Sequence, residues 1–382
     1  MDLMYDCCAG LDVHKKTVVA CIRRVGPDGA VSSQVRTFAT VTAELLALSD
    51  WLEEQGVRQA AMESTGVYWK PVFNILEGRV PVMLVNAQRL KTVPGRKTDV
   101  KDAEWIAQLL QYGLLSPSFI PPPAIRELRE LTRQRTELIR DRAAVVNRIH
   151  KVLEDANIKL ASVASDVLGV SGRAMLGAIV AGCEDPEDLA ELAKRSLRGK
   201  IPELKQALHG RITEHHRFLL KALLDQIDAL EGLIGRFAVR IEEAMAPFAE
   251  EALRLRGLPG VGKQAVEVIV AEIGTDMTVF PTAGHLSSWA GVCPGNDQSA
   301  GKQRNGKTTQ GSQWLRSTLV QAAWAASHTK ETVFSACYQR WAKRLGRKKA
   351  LVAVAHKLLV VVYHMLKKGT EYREQWAPPK VA

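Results

Sequence analysis

The sequence predicts an α/β unit at the front of the chain and helices behind it. Residues 7–112 alternate short β-rich apolar runs with stretches of helical period. The Ser/Pro-rich segment Ser116-Pro117-Ser118-Phe119-Ile120-Pro121-Pro122-Pro123 then breaks the pattern, and almost everything after it keeps a helical period. At 382 residues the chain has room for two or three domains, expected at 1–115, 116–250 and 251–382.

The first strand is expected at Cys8–Val13. Thr17–Val25 and Val31–Ala39 are β-rich, and Gly26-Pro27-Asp28-Gly29 between them is a turn, so three antiparallel strands are expected. A helix over Thr42–Gln55, a strand over Gln59–Glu63, a helix over Tyr68–Glu77 and a strand over Val80–Asn86 follow. Lys97-Thr98-Asp99-Val100-Lys101-Asp102-Ala103 opens a last helix, with Thr98 as its cap. The order β-β-β-α-β-α-β-α suits a mixed sheet with helices on both faces.

The chain has a net charge of +11 and a pI near 9.4, which favours an anionic partner, nucleic acid first. An anionic membrane is the second option, but no polybasic segment adjoins a hydrophobic anchor. Met1–Gly10 has no signal-peptide layout. The apolar run Ala350–Leu366 is short for a membrane span and is broken by His356 and Lys357, so a buried helix is expected. Six cysteines form no C-x-x-C pair and no zinc pattern, which fits a reduced cytoplasmic protein.

Four acids stand out. Asp12 ends the first strand, Glu63 ends the fourth, and Asp99 and Asp102 share one face of the last helix. A carboxylate at the end of an apolar central strand is costly unless it meets water or metal. Side-by-side carboxylates repel unless a cation lies between them. Four hard oxygen donors at one corner suit Mg²⁺, as two ions that could assist phosphodiester chemistry. Separately, these acids are also ordinary turn, cap and first-turn residues. The basic loop before them holds Lys97 and Lys101, placed for phosphate contacts.

After the linker, Leu128, Leu131, Leu138, Val145, Ile149 and Val152 form a heptad seam interrupted by Arg135 and Arg142. A cleaner heptad runs from Leu220 to Ala244. The two could pair as a hairpin within one chain or as a coiled coil between chains. The first seam is rich in arginine, which suits either a nucleic-acid-facing helix or a helix laced with Glu–Arg pairs. His215-His216 has no neighbouring metal ligands and is assigned to surface or seam.

Leu258-Pro259-Gly260-Val261-Gly262-Lys263 followed by an apolar helix has the form of a helix-hairpin-helix turn. Gly260, Gly262 and Lys263 would meet a phosphate at a helix N-terminus. Next comes a polar glycine-rich loop with Ser299, Lys302, Arg304 and Lys307, after which Gly311 and Ser312 cap a helix over Gln313–Ala326. By residues alone Ser299 is a loop serine with no activating His/Asp pair beside it. The tail, Arg340 to Lys349, interleaves cations with Tyr338 and Trp341, as a nucleic-acid surface or as charged cover for the following helix.

Gly10-Leu11-Asp12-Val13-His14-Lys15, Met62-Glu63-Ser64-Thr65-Gly66-Val67-Tyr68-Trp69 and Lys97–Ala103 together resemble the RuvC-like domain of the DEDD transposases of insertion sequences, the family numbered one-ten, which includes Piv-type invertases. The glycine-rich loop, its Trp-x-Gly-x-x-Pro approach and the downstream Gly-x-x-x-Leu-Arg resemble that family's C-terminal transposase domain. The resemblance implies an RNase H-like (RuvC-like) N-terminal domain, an α-helical coiled-coil middle and a mainly α C-terminal domain with a helix-hairpin-helix. It implies a catalytic tetrad Asp12, Glu63, Asp99 and Asp102 binding Mg²⁺, a nucleophilic Ser299 (Ser312 being its rival), and a phosphoserine link to DNA during excision and insertion. Donor and target DNA, a structured bridge RNA and a homo-oligomeric assembly are the implied partners. Two other readings stay open: a hydrolytic junction nuclease using only the acids, and a nucleic-acid-binding remnant without catalysis. Ala300 departs from the second small glycine expected after Ser299.

Overall fold

The computed structural model describes residues 3–64, 66–85, 102–294, 297–299, 302–305, 308 and 311–374, and for 297–299 and 302–305 it describes the backbone. The chain divides into two compact units, Met1–Ile120 and Pro121–Ala382. Each is described by itself.

The first unit is built on strands β1 (Cys7–Val13), β2 (Thr17–Val25), β3 (Val31–Ala39), β4 (Gln59–Glu63) and β5 (Val82–Val85), in the order β3-β2-β1-β4-β5. β1, β2 and β3 pair antiparallel, and β4 and β5 run parallel to β1. The mixed sheet is therefore as the alternation predicts. Helices α1 (Thr42–Glu54) and α2 (Trp69–Leu76) cover one face, where Ala9, Leu11, Val13, Ala60 and Met62 meet Leu48, Trp51, Leu52, Val72 and Leu76. Helix α3 (Asp102–Gln111) covers the other, with Ile106, Leu109 and Leu110 against Cys8, Ala61 and Val85. Strand residues alternate between the faces, so Cys8, Gly10 and Asp12 share the α3 side.

Gly10 is where α3 comes closest to the sheet. A Cβ there would overlap the Ala103 carbonyl oxygen and the Ala107 amide nitrogen. The Cys8 thiol lies 3.5 Å from the Ala107 carbonyl oxygen, and the Met4 amide donates to Gln111 O at 2.9 Å. Position 8 thus faces residue 107, while position 10 reaches back to 103. The helix runs antiparallel to β1, and its first turn points toward the Asp12 end.

The second unit is helical. Its frame is a pair of long helices, α4 (Pro123–Asp155) and α9 (Glu214–Met245), packed against each other within one chain. Between them come α5 (Leu160–Val163), α6 (Val170–Val180), α7 (Pro186–Glu191) and α8 (Ile201–Leu208). These short helices build a core with Val145, Ile149 and Leu153 of α4 and Leu220, Leu224 and Ile227 of α9. Leu153, rather than the expected Val152, is the buried residue at the end of the seam. His216 is buried; it closes a capping box with Thr213 and holds Asp155 at 2.9 Å, so it ties α9 to the end of α4.

The rest comprises α10 (Ala249–Arg256), α11 (Lys263–Ile273), α12 (Ala283–Trp289), the hairpin strands β6 (Asp297–Ser299) and β7 (Lys302–Asn305), α13 (Gln313–His328), α14 (Val333–Leu345) and α15 (Arg347–Lys368). By length and composition α15 could cross a membrane. It instead buries Val354, Ala355, Leu358, Leu359, Val362 and Tyr363 beneath α12, α13 and α14, as the core helix expected there.

Gly10→Ala should lower stability by ~1–3 kcal/mol, because the added methyl group forces the α3 backbone off the sheet. Urea unfolding of the full chain against a Gly56→Ala control would measure this, since Gly56 has open space around its α-carbon but a positive φ. The control isolates the smaller cost of a backbone conformation that favours glycine.

Candidate active site

Leu11 and Met62 are register partners in the parallel β1–β4 pair. One step further on lie Asp12 and Glu63, both on the α3 face by alternation. Asp102 begins α3, whose first turn is at that same end of β1. The sequence-predicted acids Asp12, Glu63 and Asp102 therefore share one face and one edge of the sheet. All three are half-buried. Asp99 lies outside the described residues, as do Lys97, Lys101 and the Thr98 cap. His14, not singled out as a site residue by sequence, places Nε2 3.0 Å from Asp12 Oδ2.

Among the described residues, no three acidic, histidine or cysteine side chains stand close enough to hold an ion by themselves. The donor chemistry nevertheless fits a hard cation. The strand ends and the helix start offer carboxylates, with no thiolate in the set. Cys8, the nearest cysteine on this face of β1, is driven up to about 12 by burial and stays a thiol at neutral pH.

Ser299 belongs to the second unit. It ends β6 and is paired in register with Lys302 of β7. Arg304 is two residues along β7, and Lys307 is outside the described residues. Pro294 bridges Thr308 at the base. Behind this bridge Gly311 lies so close to Ala290 and Gly291 that a Cβ would overlap the Gly291 amide nitrogen. Cys293 Sγ and His356 Nδ1 are 3.6 Å apart beside it; burial pushes the thiol up and the imidazole down, which favours the neutral form of each.

Ser312 is committed elsewhere. Its hydroxyl oxygen accepts from the Leu315 amide at 3.3 Å as the N-cap of α13 and donates to Glu272 Oε2 at 2.9 Å. Glu272 is fully buried on α11 and takes a two-pronged contact from Arg133, Nε to Oε1 at 2.7 Å and Nη2 to Oε2 at 2.9 Å. Arg129 donates to the Ala271 and Glu272 carbonyl oxygens at 3.1 and 2.6 Å, closing the C-terminal end of α11. Burial lowers Arg129 to about 10 against the pull of Glu272, so it stays charged at neutral pH. Arg140 and Arg133 lie over the Trp314 ring at 4.8 and 5.7 Å. A short way along α4, Arg135 and Glu267 form a second buried pair at 2.6 Å.

These contacts reassign the arginine-rich seam. Arg129, Arg133 and Arg135 face carboxylates and carbonyls of α11, Arg140 pairs with Glu137, and Arg142 reaches Glu231 on α9. Glu–Arg pairing, rather than a nucleic-acid face, accounts for them. The expected phosphate turn also has an internal reason: Gly260 has φ +78°, and a Cβ on it would overlap the Ala322 carbonyl oxygen of α13. Lys263 bonds Glu242 of α9 at 2.8 Å, while Gly262 stands in open space at the start of α11. Glu267 and Glu272, acids inside an apolar helix, were the signal in the sequence for this buried network.

Residues 9–158 match the DEDD transposase domain of insertion sequence IS110, and residues 252–339 match the transposase IS116/IS110/IS902 family. The chain belongs to the IS110 family of DEDD transposases. Among its relatives, the transposase for insertion sequence element IS1111A of Coxiella burnetii is 25% identical over 301 residues, covering 77% of this chain and 73% of that one. The putative transposase y4rJ of Sinorhizobium fredii is 29% identical over 300 residues, 72% and 67% of the two chains. The pilin gene-inverting protein of Moraxella bovis is 28% identical over 125 residues, 31% and 37% of the two chains. The IS110-family domain spans Asp12, Glu63, Asp99 and Asp102; the second match spans Ser299 and the Glu272–Ser312 contact.

Glu272→Ala should destabilise the second unit by ~3–5 kcal/mol, because it leaves the Arg133 guanidinium and the Ser312 hydroxyl without their buried acceptor. Glu137→Ala, which removes an exposed pair with Arg140, should cost less than ~1 kcal/mol. Urea unfolding of the two variants side by side would test the difference.

Proposed function

We propose that this transposase cuts, exchanges and rejoins DNA strands to excise and insert an insertion-sequence element, with Ser299 as nucleophile and Asp12, Glu63, Asp99 and Asp102 as the metal-binding tetrad. The observation that carries this reading is the meeting of the β1 end, the β4 end and the first turn of α3 on one face of the sheet. The strand order β3-β2-β1-β4-β5, antiparallel then parallel, supports an RNase H-like assignment for the first unit.

The tetrad would hold Mg²⁺, as two ions, and the metal when bound supplies Lewis-acid stabilisation of charge on the scissile phosphate. The Ser299 hydroxyl attacks the phosphorus. An Oγ–P bond forms, the bond from phosphorus to the 3′ oxygen breaks, and that oxygen leaves as a 3′-hydroxyl carrying a proton. In the rejoining step a 3′-hydroxyl of the exchanged strand attacks the phosphoserine, the new phosphodiester forms and the serine regains its proton. Lys302, Arg304 and Lys307 offset the charge on the transferring phosphate, and the place of Lys302 and Arg304 on the hairpin strand opposite Ser299 supports this role. Gly262 and Lys263 at the start of α11, and Lys97 and Lys101 before α3, are assigned to DNA backbone contacts. Gly260 serves that turn by letting α13 approach.

The reading extends to a bridge RNA that pairs with donor and target, so that sequence is read by base pairing and the protein contacts mostly backbone. It includes a homo-oligomer in which Ser299 of one chain serves the acids of another, acting in the bacterial cytoplasm. The pairing of α9 with α4 in one chain leaves the remaining faces of that hairpin for such assembly.

Expression with native flanking DNA, denaturing recovery of protein–DNA adducts and mass spectrometry would test the chemistry. An adduct on Ser299 is expected, abolished by Ser299→Ala, by Asp12→Ala and by chelation of divalent metal. Cleavage that needs Asp12 but yields no adduct and ignores Ser299 would overturn it in favour of a hydrolytic nuclease.

A further inference from the structure

The positive charge of this chain is not spread along it. Residues 283–370 hold fourteen of its 52 basic residues and two of its 41 acidic ones, Asp297 and Glu331, a net +12 against +11 for the whole chain. The remaining residues are thus close to neutral. Within this stretch α14 and α15 contain no acidic residue at all, and neither do α12 and α13, which pack against them.

The excess is most concentrated at one corner. α14 ends in Lys343 and Arg344, Gly346 turns the chain with φ +79°, and α15 begins with Arg347, Lys348 and Lys349. All five cationic side chains are exposed. Among the described residues none of the five is held in an ion pair. Several exposed cations elsewhere in the unit do have carboxylate partners: Lys159 has Glu154, Lys205 has Glu187, Lys221 has Asp225 and Arg240 has Glu243. Five like charges over seven residues repel one another, and removing any of them would relieve that repulsion. The first amides of α15 also carry no side-chain cap at this turn.

We propose that the α14–α15 corner, Lys343, Arg344, Arg347, Lys348 and Lys349, is a docking surface for the phosphate backbone of duplex DNA. The corner is carried by elements other than those that hold Ser299, the acids or Gly262, and it needs no chemistry at any of them. Its cations meet consecutive phosphates by charge, as flexible lysines and arginines do on a backbone, so it reads no sequence. Duplex DNA is the partner because the five are like point charges on one helix–helix turn, and the neighbouring rings, Tyr338 and Trp341, are half-buried rather than offered as an exposed platform, which unpaired strands use. The proposal rests on DNA as the substrate of the family and not on Ser299 as the nucleophile.

Fluorescence anisotropy with the full chain and a labelled duplex of arbitrary sequence, over a KCl series, tests it. Ser299→Ala is present in every protein so that binding is read without chemistry. Replacing all five residues by Gln should weaken binding at least about tenfold at 100 mM KCl and reduce the slope of log K against log salt by about 3–4. Exchanging Lys and Arg at the same five positions should leave affinity within about twofold, because phosphate neutralisation counts charge. Replacing Lys159, Lys205 and Lys221 by Gln is the control and should change little. Circular dichroism confirms folding, and Lys348→Glu alone serves if the fivefold variant does not fold. Unchanged affinity and salt slope in the Gln variant overturn the proposal, as does a Ser299→Ala chain with all five cations that does not bind the duplex. A loss confined to an RNA duplex of the same sequence also overturns it. Because no cleavage is scored, a failed adduct experiment leaves this result standing, and the reverse.

Discussion

Gly10 has no Cβ, and the backbone of Ala103 and Ala107 occupies the space that leaves. Much of the first unit follows from this contact. It lets α3 lie flat on β1 and β2, with Ala103 and Ala107 against Cys21. It sets the direction of the helix, and so decides that Asp102 starts at the edge where Asp12 and Glu63 end their strands. A larger residue at position 10 would leave each acid in its own element but lift the helix that brings one of them to the others. Small residues on both sides of the contact, Gly10 on the strand and Ala103 and Ala107 on the helix, are what make the approach close.

The second unit fastens its serine hairpin differently. The ends of its segment are fixed: Gly311 against Gly291, and Ser312 on the buried Glu272, itself gripped by Arg133. Burying a carboxylate is costly, and a two-pronged guanidinium with a further hydroxyl offsets the cost only in one geometry. The network thereby favours one placement of the α13 N-terminus. The same hydroxyl cannot easily also be a nucleophile, since it already caps a helix and donates to a carboxylate.

The mixed sheet and its helices were legible because strand and helix periods differ, and because Gly26-Pro27-Asp28-Gly29 is an unambiguous turn. The acids at the strand ends were legible because a charge closing an apolar run is conspicuous. Arginines were harder to interpret. Arg129, Arg133 and Arg135 look the same in a sequence whether they face solvent, phosphate or a buried glutamate 130 or more residues away; only the fold brings Glu267 and Glu272 to them. Gly260 was ambiguous in the same way, since a glycine needed for close helix packing and one needed for a phosphate leave the same letter. The choice between a hairpin within one chain and a coiled coil between chains depended on the helices that lie between α4 and α9, which pack into one core with both.

Helix α4 is one uninterrupted rod of 33 residues, about 50 Å long. Its front part engages α11 through Arg129, Arg133 and Arg135, and its rear part enters a separate hydrophobic core through Val145, Ile149 and Leu153. The two sets of contacts are therefore geared to each other by the pitch of a single helix. One residue added or lost between Arg135 and Val145 would turn the rear about 100° relative to the front. Seven residues would nearly restore the phase while lengthening the rod. Evolution of this stretch is thus constrained in length modulo the helical repeat, even at positions where the identity of the side chain matters little.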